Sequence, residues 1–139
     1  MAEKFMVPFK VRNYHIDSYD HVNNAQYMTL LEEARTQFME SAGCPFEYYF
    51  NQGVFIFVSD IHIKFKKPAV LGDHLEVHVW FPTLKRARIV FQQEIRLADS
   101  GELIATASVS CGFVHNGYVI PVPKDFLEKM QPFHIPDQV

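Results

Sequence analysis

Cysteine is scarce in this chain. The 139 residues hold only Cys44 and Cys111, at no zinc-ligand spacing and in no Cys-x-x-Cys pair. Both are expected to be reduced thiols, as in a cytoplasmic protein. No long apolar run is present, and no cleavage signature follows Met1-Ala2-Glu3-Lys4. Neither a membrane span nor a signal peptide is therefore expected. Positive charge is not in excess either. Thirteen Lys and Arg against 16 Asp and Glu give a net charge of −3, which offers nothing global to hold nucleic acid. The chain also lacks a Gly-x-Ser-x-Gly elbow and a Gly-rich phosphate loop. His74 and His78 are four residues apart, a chelating spacing on a helix but not on a strand. No metal set and no cofactor are expected.

What remains is the composition of a folded globule, 48% hydrophobic and 21% charged. A chain of this length forms one domain, here taken as residues 1–139. It buries about two-thirds of its unfolded surface, enough for a proper core.

Phe5 to Val11 reads as a short strand, followed by a polar stretch. A helix is predicted from Asn24 to Ser41, with Asn23 as N-cap and Gln26 as its reciprocal partner. Gly43 and Pro45 end it. Tyr27, Leu30, Leu31, Ala34 and Phe38 recur at three- and four-residue steps and form its buried stripe. Phe46 to Asn51 reads as a second short helical segment. After Gly53 the period changes to two. Phe55, Phe57, Ser59, Ile61, Ile63 and Phe65 fall on one face. The other face begins with Val54, Ile56 and Val58 and turns to Asp60, His62 and Lys64. Such a strand, apolar on both sides at its start, calls for a cover on each side. One cover is the helix and the other is a second copy of the chain.

Three further strands follow, centred on Val77, Phe91 and Val109. Asp99-Ser100-Gly101 marks a hairpin, and Pro82-Thr83-Leu84-Lys85 reads as another connection. Lys124 to Met130 reads as a final short helix. Consecutive strands joined by short turns are antiparallel. The expected class is α+β, a curled antiparallel sheet of about five strands around one long central helix.

The stretch from Asp17 to Tyr27 concentrates the chemistry. A carboxylate, an imidazole and two amides precede a helix start, where free backbone N–H groups and the positive dipole end gather. From spacing alone, Asp17 is either a catalytic acid or a loop acid capping a turn.

These residues resemble a known family. Asp17, His21, Val22, Asn23, Asn24 and Tyr27 fit the helix-opening pattern of the 4-hydroxybenzoyl-CoA thioesterase-like acyl-CoA thioesterases, which have the hotdog fold. Glu33-Ala34-Arg35 matches the Glu-Ala-Arg of that family's central helix. Phe65 to Asp73 matches its aromatic-x-x-Pro-x-x-x-Gly-Asp turn. The resemblance covers nearly the whole chain. Asp20 stands where the family often has Gly, and Asp is among the residues that tolerate positive φ. Plant acyl-carrier-protein thioesterases resemble the region too, with Asn where this chain has Tyr19.

The resemblance implies hydrolysis of a fatty acyl or aryl thioester to a carboxylic acid and free coenzyme A. Coenzyme A enters only as part of the substrate. Asp17 is then nucleophile or general base. Backbone N–H groups around Asn24 and Ala25 polarise the thioester carbonyl. His21 either holds the substrate or bonds the loop. Tyr27 walls the acyl pocket. Lys85, Arg86 and Arg88 are implied contacts for the nucleotide phosphates, with Lys64, Lys66 and Lys67 as a second basic patch. Glu32 and Glu33 are expected to pair with Arg35 or face solvent. The implied assembly is a homodimer, or a homotetramer as a dimer of dimers. Rival functions are an acyl-carrier-protein thioesterase, a hotdog hydratase or dehydratase, and a non-catalytic acyl-CoA binder. The hydratases' His-x-Phe-Pro signature is missing here.

Overall fold

The computed structural model describes residues 2–137. Its elements, in chain order, are β1 (Phe5–Lys10), α1 (Asn24–Ser41), α2 (Phe46–Phe50), β2 (Val54–Phe65), β3 (His74–Lys85), β4 (Arg88–Leu97), β5 (Leu103–His115), β6 (Tyr118–Ile120) and α3 (Lys124–Met130). The strands form one antiparallel sheet in the order β1-β3-β4-β5-β2, with β6 paired to β5. The helix α1 lies against the inner face. This is the hotdog arrangement, an α+β fold with a curled sheet wrapped on one helix.

Alternation on β3, β4 and β5 puts Leu75, Val77, Val79, Phe81, Ile89, Phe91, Ile95, Val109 and Phe113 inside. Tyr27, Leu30, Leu31, Ala34 and Phe38 of α1 meet them. Phe38 is fully buried, with the rings of Phe5, Phe81, Phe91 and Phe133 around it.

Two strand readings need correction. On β2, Ile56 pairs with Phe113, Val58 with Cys111, Ile61 with Val109, Ile63 with Ala107 and Phe65 with Ala105, all buried or inward partners. The register shifts between Val58 and Asp60, where Ser59 bulges and its hydroxyl donates to the Ser110 carbonyl (3.2 Å). One extra residue exchanges the two faces. The inner face is thus Val54, Ile56, Val58, Ile61, Ile63 and Phe65, and Phe55 and Phe57 point outward with Asp60, His62 and Lys64. Phe57 covers Gly112, where a Cβ would lie 2.7 Å from its ring. The second correction concerns Pro82 to Lys85, which is strand and not connection. A bulge between Trp80 and Thr83 takes up Pro82, and the turn comes at Arg86-Ala87.

The β6 strand was not expected. Asn116 and Gly117 adopt φ of 51° and 80°, the left-handed pair of a tight hairpin.

Candidate functional site

The Asp17 loop is built by short backbone contacts. Ile16 bridges Val22. The Asp17 N–H donates to the His21 carbonyl (3.0 Å) and the Asp20 N–H to the Asp17 carbonyl (3.1 Å). Closing so small a loop puts Asp20 at φ 64°, the conformation that Asp tolerates better than most residues. The loop is then clamped to the segment after β2. His21 bridges Val70, and the Val22 N–H donates to the Ala69 carbonyl. Within that segment Gly72 takes φ 88°, and the Asp73 carboxylate accepts the Val70 N–H (3.0 Å). These contacts explain the Pro-x-x-x-Gly-Asp spacing. Gly permits the turn, and Asp fastens it.

The start of α1 sits beside the loop. Asn23 is the N-cap, and its side-chain oxygen accepts the Ala25 N–H (2.8 Å). Gln26 does not return the bond. The Asn23 N–H goes instead to the carbonyl of His15 (2.9 Å). His15 is buried, and its Nδ1 accepts the Arg12 N–H (2.9 Å). Burial, then the nearby Arg12 charge, holds its pKa below the ordinary value. The cap consumes the Ala25 N–H. The Asn24 N–H makes no hydrogen bond among the described residues, and it is the donor left at the positive end of the helix.

Asp17, His21, Asn24 and Tyr27 line one open cavity of about 310 Å³, together with Phe65, Lys66, Lys67 and Pro68. Asp17 is half-buried. Its Oδ1 accepts the Tyr19 N–H (2.9 Å), so the carboxylate is oriented by its own loop. Its other oxygen has no bonded partner among the described residues. His21 is exposed, and the backbone fixes its place. Tyr27 is 2% exposed; its hydroxyl accepts the Ala69 N–H (3.0 Å), and its ring packs on Phe65 (5.3 Å). Burial, the largest influence, raises its pKa above the ordinary value. Tyr27 is thus a neutral wall that ties helix to turn.

The basic residues divide. Lys66 and Lys67 flank the cavity. Lys67 is paired with Glu102 (2.7 Å), while Lys66 has no ion pair among the described residues. Lys85, Arg86 and Arg88 are not brought to this cavity within one chain. Arg88 lies beyond the row Ile89–Cys111–Val58, and Val58 is seven residues from Phe65, about 23 Å at ~3.3 Å per residue. On α1, Glu33 accepts from Gln37 (2.9 Å), and Arg35 bonds Gln93 of β4 (3.0 Å) with neither Glu32 nor Glu33 as partner. Phe65 is the lining residue with the least warning in sequence. It reaches the cavity only because the Ser59 bulge turns the end of β2 inward.

A carboxylate with an unbonded oxygen and the first residue of a helix, its N–H unbonded, line the same open cavity, and that set of groups suits attack on a carbonyl. Known proteins similar to this chain are thioesterases by name. The model of a family described as the thioesterase-like superfamily matches residues 11–130. Over 101 residues, 73% of this chain and 76% of the relative, the sequence is 36% identical to the long-chain acyl-CoA thioesterase FadM of Escherichia coli (strain K12). Over 134 residues, 96% of this chain and 70% of the relative, it is 29% identical to the chloroplastic acyl-acyl carrier protein thioesterase ATL3 of Arabidopsis thaliana. The crystal structure of YbaW, a probable thioesterase from Escherichia coli, superposes with a TM-score of 0.79 at 29% identity, covering 92% of this chain and 97% of that one.

Proposed function

Because the chain belongs to the thioesterase-like superfamily and is by that kinship a thioester hydrolase, we propose that it cleaves a fatty acyl or aryl thioester of coenzyme A with Asp17. The observation that carries this reading is that Asp17 and Asn24, whose N–H is unbonded, line one cavity. The thioester carbonyl oxygen accepts from the Asn24 N–H, where negative charge develops as the carbonyl carbon becomes tetrahedral. Asp17 acts through its free oxygen. As nucleophile it adds to the carbonyl carbon, expels the thiolate and leaves a mixed anhydride for water to open. As base it takes a proton from the attacking water. Either route ends in a carboxylic acid and a free thiol. Thiolate is a good leaving group and needs no strong acid beside it.

His21 and Tyr27 border the substrate in this reading, and Lys66 faces the phosphates of coenzyme A. We infer further that the protein is at least a dimer. β2 pairs with β5 on one side only, and an antiparallel second copy continues the sheet. That pairing carries the second copy's β3–β4 hairpin toward the end of the joint sheet where Asp17 lies. It thereby supports a role for Lys85, Arg86 and Arg88 on the partner's substrate.

Matched acyl-CoA and acyl-carrier-protein substrates test the carrier. Lys66→Glu is expected to raise KM for acyl-CoA about tenfold, a loss of about 1.4 kcal/mol, with little change in kcat. Arg86→Glu is expected to do the same. Unchanged KM in both variants, together with faster turnover of the acyl-carrier-protein substrate, overturns the coenzyme A reading in favour of the carrier named for ATL3.

A further inference from the structure

The link between β1 and the Asp17 loop turns on His15, which is buried and does not line the Asp17 cavity. Asn13–His15 is a single 3-10 turn, closed from both sides. The His15 N–H donates to the Arg12 carbonyl (3.0 Å), and the Arg12 N–H donates to His15 Nδ1 (2.9 Å). Val11, just before, is fastened to the turn that precedes β3. Its N–H donates to the Asp73 carbonyl (2.9 Å), and its carbonyl accepts the Gly72 N–H (3.1 Å). On the other side, the His15 carbonyl accepts the Asn23 N–H (2.9 Å), one residue before Asn24. Ile16 bridges Val22, and Asp17 follows it. One residue thus ties both groups of the proposed chemistry to the sheet. The carboxylate is two residues on along the chain, and the helix start is one hydrogen bond away.

The bond at Nδ1 fixes the state of the ring. A backbone N–H only donates, so Nδ1 carries a lone pair and Nε2 the proton. A proton added at Nδ1 would set two N–H groups against each other and open the turn. Burial, then the Arg12 charge, disfavours that proton. The ring of Tyr14 meets that of His15 at 4.4 Å. The other charged or titratable groups on the segments joined here are Lys10 of β1, Asp17, Asp20 and His21 of the loop, and Asp73 and His74 at the start of β3. None of them forms an ion pair with His15 among the described residues.

We propose that His15 is a positioning residue for thioester hydrolysis, whose Nδ1 and carbonyl together hold the Asp17 loop and the start of α1 in one frame. The frame stands only while the imidazole is neutral. His15 touches no substrate, so its loss lowers kcat and leaves KM in place. This rests on the reading that Asp17 and Asn24 carry out the chemistry.

The test follows thiol release from dodecanoyl-CoA across pH for the wild type, His15→Leu and His15→Gln. Leu fills the space without an acceptor. Gln is a residue that commonly accepts the N–H three positions back in a capping box, and it does not titrate. His15→Leu is expected to lower kcat about tenfold at neutral pH, the worth of one lost hydrogen bond, with KM within about twofold. His15→Gln is expected to keep kcat within about threefold. It is also expected to hold that rate into acid, where wild-type kcat falls as the imidazole takes its proton. Long-range proton–nitrogen NMR of the wild type is expected to show Nδ1 unprotonated at neutral pH and a His15 titration that coincides with the fall in kcat. Wild-type kcat in His15→Leu, with or without a lower melting temperature, overturns the proposal and leaves thioester hydrolysis intact. So does an equal loss in both variants, or the same acid fall in His15→Gln as in the wild type. Should both variants fail to fold, the NMR titration set against wild-type kcat decides. No thiol from the wild type at any pH overturns the hydrolase reading and this proposal together.

Discussion

Asp17→Asn is expected to lower kcat for thioester hydrolysis by about a thousandfold, within the range seen when an acid–base group is removed. The substitution is nearly isosteric. An Asn side-chain oxygen still accepts the Tyr19 N–H that Asp17 Oδ1 holds at 2.9 Å, so the loop keeps its shape. The second oxygen becomes an NH2 group, which neither attacks a carbonyl nor takes a proton from water. The Asn24 N–H and the lining by Tyr27, Phe65 and Lys66 are untouched, so KM is expected to stay within about threefold, as when only transition-state stabilisation is lost. Thermal melting by circular dichroism checks the fold, and stopped-time thiol release checks the rate. A variant that turns over near the wild-type rate removes Asp17 from the chemistry and returns it to a turn-capping role.

The second large effect is one of mass. Light scattering is expected to give about twice the 16.2 kDa of one chain, or a multiple of that pair. The reason lies in β2. Twelve residues of strand present an unpaired edge, about 40 Å of backbone donors and acceptors at ~3.3 Å per residue. Edge strands are ordinarily kept short or guarded by inward-pointing charges. Here the inner face of the edge is apolar throughout, and Val58 and Phe65 are 48% and 49% exposed. Asp60, His62 and Lys64 are the titratable residues of the strand, and they point outward. A two-fold copy placed on this edge pairs β2 with itself, since an isologous contact uses the same patch twice. Replacing both Val58 and Ile61 by Lys sets two ammonium groups on that inner face and is expected to yield a 16.2 kDa species. A wild type that stays monomeric at micromolar concentration contradicts the shared-sheet reading and leaves Lys85, Arg86 and Arg88 without a substrate to meet.

The sequence was most legible where the signals were local. Asn23 and Gly43 bracket α1, and the helix runs from Asn24 to Ser41 as its cap and stop residues require. Asp17, His21, Asn24 and Tyr27 lie within one short stretch, so a loop and a helix start suffice to gather them. Asn116-Gly117 was an equally local hairpin signal, and β6 follows from it. Other features depend on partners far along the chain. Nothing about Ser59 marks a bulge, which arises from the pairing of β2 with β5 and decides whether Phe65 faces the site or solvent. Pro82 resembles a strand end, yet the strand continues through it because the sheet tolerates a register shift there. Arg35 and Gln93 are 58 residues apart, and no spacing rule joins them. The curl of the sheet does, by bringing β4 against α1.

The central claim, that the Asp17 cavity hydrolyses a thioester, is tested most directly by following free thiol and ultraviolet absorbance together while the wild-type protein acts on saturated and enoyl-CoA substrates. Stoichiometric thiol and carboxylic acid, with the enoyl chromophore changing only as its thioester is cleaved, is the predicted result. Loss or gain of the enoyl absorbance without thiol, as a hydratase or dehydratase gives, would contradict it, and so would tight binding of acyl-CoA with neither signal.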